Sequence, residues 1–129
     1  MYSGSIQDPN PLLRQAFIDE DDTRQAVIFP YGQRSSVKIA AFLNGASAHT
    51  SEFDDIFRDG GLHPGCATIA AALALGQRQN QSGSQVISAV IAGYEVSSRI
   101  SAAMGRGHYQ FWHTTGTIAT FGAAASGAI

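Results

Sequence analysis

His49 and His63 enclose four carboxylates, Glu52, Asp54, Asp55 and Asp59, in a chain where only 14% of residues are charged. Imidazole titrates near neutrality, and a neighbouring carboxylate can orient or tune it. Such a group can move protons, bind a polar ligand or hold a metal. The metal reading fares worst on spacing: His-x-x-Glu-x-Asp-Asp matches none of the zinc signatures in which two ligands recur at short fixed intervals. No metal is therefore expected. His113 is a second focus, because it precedes Thr114 and Thr115 and follows Tyr109, Phe111 and Trp112. Cys66, the single cysteine, precedes a run of small apolar residues and reads as a buried structural thiol. His63, three residues away, is the one neighbour that could make it a nucleophile.

These residues converge only if helices carry them. Ser35 and Ser36 are plausible N-caps for a helix on which Val37, Ala40, Ala41 and Asn44 repeat at helical spacing. Gly45 marks either its end or a close contact with another helix. His49 to Arg58 can add a turn or two, with Asp54 and Arg58 paired at i,i+4 and His49 set at i,i+3 from Glu52. Asp59-Gly60-Gly61 forces a loop. Pro64 suits the first turn of a helix running to about Arg78, rich in alanine and buried on most sides. A longer helix follows from about Ser84 to Met104, carrying a Glu95–Arg99 pair in the favourable order. Gly105-Arg106-Gly107 breaks it, and Thr114 to Ile129 reads as a last helix rich in glycine and alanine.

Residues 1–35 form an irregular lead-in. Pro9-Asn10-Pro11 and Pro30-Tyr31-Gly32 mark turns, Leu12 to Ile18 can form a short helix, and Ala26 to Phe29 a strand of uncertain partner. The run Asp19-Glu20-Asp21-Asp22 reads as a solvated loop or helix end. The last helix stops without a cap or polar tail, and the chain begins without an opening element. Both ends suggest a piece of a larger protein, or a chain completed by another subunit.

The chain has 129 residues, 44% of them hydrophobic, enough for a core. Its net charge is -2, with 8 Lys+Arg against 10 Asp+Glu, and no basic stripe, which argues against a nucleic-acid partner. No signal peptide is visible. Gly107 to Ile129 lacks Asp, Glu, Lys and Arg, but its histidines, glutamine and threonines argue against a membrane span. A lone cysteine permits no internal disulfide and fits a cytoplasmic setting.

Ala40-Ala41-Phe42-Leu43-Asn44-Gly45-Ala46-Ser47-Ala48-His49, Phe53-Asp54-Asp55 and His63-Pro64 together resemble the MmgE/PrpD family. The resemblance continues through Gly93-Tyr94-Glu95-Val96 with Arg99-Ile100, and through His113-Thr114-Thr115-Gly116 into Phe121-Gly122-Ala123-Ala124-Ala125. It covers roughly residues 36–129 in the family's order. That family includes 2-methylcitrate dehydratase, cis-aconitate decarboxylase and iminodisuccinate epimerase. The resemblance implies a mainly α chain, a closely packed helical bundle corresponding to part of the family's all-helical domain, without its α/β lid. It also implies homo-oligomers, no cofactor, and proton abstraction beside a carboxylate of a small di- or tricarboxylate.

On that resemblance the catalytic candidates are His63, His113, Glu52, Asp55 and Tyr109. The substrate-binding candidates are His49, Asp54, Arg58 and Thr114. His63 leads, because it sits at a helix start where the dipole favours an anion. Two departures stand out: Glu52 replaces the family's commoner aspartate, and Ile56 stands where several relatives carry a hydroxyl. Lys38 is the single lysine, so Arg58 and Arg106 are the nearest cations. The isolated chain is therefore expected to be a weak or inactive catalyst. The alternative is a non-catalytic helical module that assembles or binds ligand on the same scaffold.

Overall fold

The computed structural model describes residues 1–17 and 23–129 and is mainly α-helical. The acidic run Asp19–Asp22 and Ile18 lie outside the described residues. The elements in order are α1 (Tyr2–Ser5), α2 (Asn10–Phe17), β1 (Ala26–Ile28), β2 (Gln33–Ser35), α3 (Val37–His49), α4 (Pro64–Gln79), α5 (Gly83–Met104) and α6 (Thr114–Gly127), with a 3-10 turn at His108–Gln110.

The lead-in is more regular than its sequence suggests. β1 finds its partner in β2, an antiparallel hairpin with Val27 opposite Arg34. Asn44, buried on α3, pins the hairpin down: its Oδ1 accepts from Phe29 N at 2.8 Å and its Nδ2 donates to the Val27 carbonyl at 2.9 Å. Buried Ala26, Ile28, Ala40, Leu43 and Ala74 close a small core beneath it. Asn10 ties the first turn to the end of α3, donating to the Gly4 carbonyl and to Thr50 Oγ1.

α3 starts where Ser36 Oγ accepts from Ile39 N at 3.2 Å, a side-chain N-cap. Gly45 lies inside this helix and is a close contact, not an end: a Cβ there would stand 3.0 Å from the Cys66 carbonyl oxygen of α4. α4 begins with Pro64 and ends at Asn80, whose φ of 53° supplies the left-handed cap. α5 starts one residue earlier than its spacing suggests, because Ser82 and Gln85 form a capping box.

α4 is the central helix, packed by α3 on one side and by α5 and α6 on the other. Small residues make this possible. Gly93 of α5 and Gly122 of α6 meet at Thr68 of α4, where a Cβ on Gly122 would lie 2.8 Å from the Gly93 carbonyl oxygen. Among the described residues, no helix is long and apolar enough to cross a membrane.

The segment between α3 and α4 is not helical. α3 stops at His49, Glu52 takes a φ of 45°, and the chain turns. Phe57 and Leu62 then exchange backbone hydrogen bonds at 2.7 and 3.2 Å around the Asp59-Gly60-Gly61 turn. The helical pairings expected of Asp54 with Arg58 and of His49 with Glu52 therefore do not form. Both need i,i+3 or i,i+4 helical spacing that this backbone lacks.

Candidate functional site

The loop brings Asp54, not Glu52, to the histidines. Asp54 Oδ2 lies 2.8 Å from His49 Nδ1 on one side, and its Oδ1 lies 3.4 Å from His63 Nδ1 on the other. The carboxylate side chain is 10% exposed, against 30% for His49 and 24% for His63. One carboxylate therefore faces two imidazoles whose ring centres are 5.0 Å apart. The carboxylate favours the proton on the near Nδ1 of each ring, through a hydrogen bond at His49 and through its charge alone at His63, which leaves each Nε2 as a lone-pair acceptor.

His63 is held from both ends. Leu62, fully buried, packs with Ile118 and Ala119 of α6. The His63 backbone N–H donates to Thr115 Oγ1 at 3.1 Å, joining the starts of α4 and α6. The Asp55 carboxylate and the Tyr94 hydroxyl meet over Gly65, where a Cβ would lie 2.5 Å from the hydroxyl oxygen. Glycine at this position lets the acid loop rest on the first turn of α4. Burial first, and then the Asp55 carboxylate, push the Tyr94 phenol well above its ordinary value, so it stays a neutral donor.

His113 has the opposite polarity. It caps α6, its Nδ1 accepting from Gly116 N at 3.3 Å. An Nδ1 that accepts leaves the proton on Nε2, so His113 presents a donor where His63 presents an acceptor. Tyr109 lies beside it, with ring centres 5.9 Å apart, on a loop that His108 secures by a 2.8 Å contact with Thr117 Oγ1. His63, His113, Tyr109, Arg58 and Arg106 all line one cavity of about 400 Å³, with Ile56, Gly60 and Gly61 completing the wall.

Other candidates lie elsewhere. Glu52 is exposed, away from this wall. Thr114 is buried at the first turn of α6, and its carbonyl accepts from Thr117 Oγ1. Asp54, Asp55 and Cys66 line a neighbouring cavity of about 310 Å³ with Met1, Ser3, Ala48, Ser51, Phe53, Gly65 and Ile69. Cys66 is buried and donates to the His63 carbonyl at 3.2 Å. Burial, then the Asp54 charge, push its thiol up to about 11, which makes it a poor nucleophile at neutral pH. Sequence reasoning missed the anchoring roles of Thr115 and Tyr94. Both stand inside the recognised motifs, but their partners are 52 and about 40 residues away, beyond any local pattern.

Two histidines and two arginines thus line one open cavity on a helical scaffold. The chain belongs to the MmgE/PrpD family: the family model for the MmgE/PrpD N-terminal domain matches residues 2–129, so the match extends through the lead-in as well as the motif-bearing helices. No curated protein and no solved structure matches the chain.

Proposed function

We propose that this chain carries out lyase- or isomerase-type proton transfer on a small di- or tricarboxylate. The observation behind this reading is the 400 Å³ cavity in which Arg58 and Arg106 face His63, His113 and Tyr109. The guanidinium groups hold substrate carboxylates, since planar donors suit planar anions. His63, with its Nδ1 turned to Asp54, takes a proton from the carbon beside a carboxylate. His113 or Tyr109 donates to the departing or developing negative group. General acid–base groups of this kind contribute about 10²–10⁴-fold each. Membership of the family supports the substrate class, as its named members dehydrate, decarboxylate or epimerise such acids. The reading takes the chain to be cytoplasmic and self-associating.

The proton-transfer step is shared by all three reactions, so solvent exchange tests it directly. The chain is incubated in D₂O with 2-methylcitrate, cis-aconitate or iminodisuccinate, and proton NMR follows deuterium entry and consumption. Slow turnover of one acid is expected, lost in His63→Ala. A folded chain that neither exchanges nor consumes any of them would leave the scaffold as an assembly or binding module.

A further inference from the structure

We propose that His49, Asp54 and Cys66 form a binding site for a zinc-like divalent transition metal, beside the 310 Å³ cavity that Asp54 and Cys66 line. One donor atom from each of these residues lies within 4.8 Å of the other two. Bonds of about 2.0 to 2.3 Å around a tetrahedral zinc hold donors about 3.3 to 3.7 Å apart, so side-chain rotation of about an ångström closes the three onto one ion.

A second, independent observation points to a cation. Asp54 is nine-tenths buried, and its Oδ1 makes no hydrogen bond: His63 Nδ1 approaches it to 3.4 Å, but neither atom has a hydrogen-bond partner. A buried carboxylate oxygen left without a donor is costly, and a metal ion satisfies it. The adjoining cavity carries the matching charge. Among the described residues that line it, Asp54 and Asp55 stand with Cys66, no lysine or arginine is present, and the positive group is the Met1 α-amino group. Two carboxylates against one ammonium favour a cation over an anion.

The donor types choose among cations. Imidazole and thiolate favour zinc and its neighbours, while magnesium and calcium prefer all-oxygen sites. Three protein ligands leave a fourth position for water, as in open zinc sites. Binding breaks the Cys66 S–H bond, releases that proton to solvent and leaves the sulfur pair on the metal, with no oxidant required. The spacing in sequence hides the site, because Cys66 is contributed by α4 and only the close approach of α3 to α4 at Gly45 brings it beside the acid loop.

Cobalt(II), which colours thiolate sites, is the probe. Titrated into the untagged chain, it is expected to bind once per chain, with a thiolate-to-cobalt absorption band in the near ultraviolet. Zinc displaces it and magnesium does not. Cys66→Ala and His49→Gln each weaken cobalt binding at least tenfold, and either variant suffices if the other fails to fold. A wild-type chain that binds no cobalt, or binds it without the thiolate band, overturns the proposal. So does an affinity unchanged in both variants. The optical readout is independent of any turnover, so it stands or falls apart from the polycarboxylate reading.

Discussion

Where α4, α5 and α6 cross, Gly93 and Gly122 bring backbone against backbone over Thr68. In the loop from Thr50 to His63, the acids are placed mainly by side-chain bonds to histidine and tyrosine. The first region has no slack, because carbonyl oxygens cannot swing aside as side chains do. The second carries the chemistry on irregular chain, fixed at its two ends by the close of α3 and by the Leu62–α6 contacts. The rigid crossing thus aligns the starts of α4 and α6, and with them His63 and His113. The loop then only has to deliver one carboxylate.

The sharpest test of that contrast is Gly93→Val. A Cβ at Gly93 would lie 2.6 Å from the Gly122 carbonyl oxygen and would also strike Thr68 Cγ2. Overpacking of this kind is expected to cost about 3 kcal/mol, seen as a lower urea midpoint at constant slope. A loss below about 0.5 kcal/mol, the range of ordinary surface changes, would mean the crossing is not the rigid element described.

Asp54→Ala tests the other region. It removes the acceptor for His49 Nδ1 and the carboxylate facing His63. Both imidazoles keep some access to water, so the expected cost is about 1–2 kcal/mol, smaller than for Gly93→Val. A cost as large as the glycine substitution would place the loop inside the cooperative core and erase the distinction.

Tyr94 joins the two regions, rooted on α5 and reaching the Asp55 carboxylate. Tyr94→Phe is expected to cost about 1 kcal/mol near neutrality. The phenol's folded pKa is raised, so above the ordinary value of about 10 the unfolded chain has shed a proton that the folded chain keeps. The stabilisation from this group is therefore complete below about pH 10 and falls as pH rises towards the folded value. Unfolding measured in urea at about pH 8 and about pH 11 should show the wild type losing more stability than Tyr94→Phe. Equal losses would mean the hydroxyl is not held against Asp55.

The same contrast explains what the sequence discloses. Helical periodicity and caps locate α4 to α6 and the start of α3 within a residue or two, because those signals are local: Ser36, Pro64, and Ser82 with Gln85; the end of α3 at His49 falls between the two ends its sequence offered, Gly45 and Arg58. The motifs also point to His63 and His113, which open the two aligned helices. The loop resists such reading. Helical spacing pairs Asp54 with Arg58 and His49 with Glu52, whereas the positive φ at Glu52 turns the chain so that Asp54 meets both histidines. Likewise β2, reading Gln33-Arg34-Ser35, has no strand-like apolar alternation. It is held by pairing with β1 and by polar contacts from outside the hairpin, such as Arg14 Nε donating to Gln33 Oε1. Polar contacts across long stretches of chain leave no period to detect.

Phe53 offers the smallest expected effect on stability and a separate reading of the loop. It sits between Glu52 and Asp54, yet its side chain is 95% exposed. A ring with so little buried area adds little to folding, so Phe53→Ser should change stability by less than about 0.5 kcal/mol. Phe111 and Trp112 are also largely exposed, and exposed apolar surface of this kind favours association between chains. If Phe53 takes part, light scattering on Phe53→Ser should show weaker self-association while the urea midpoint stays put. A lowered midpoint in a dilute, monomeric sample would instead mean that the ring packs within its own chain. The loop would then owe its order to apolar contact as well as to the Asp54 and Asp55 bonds.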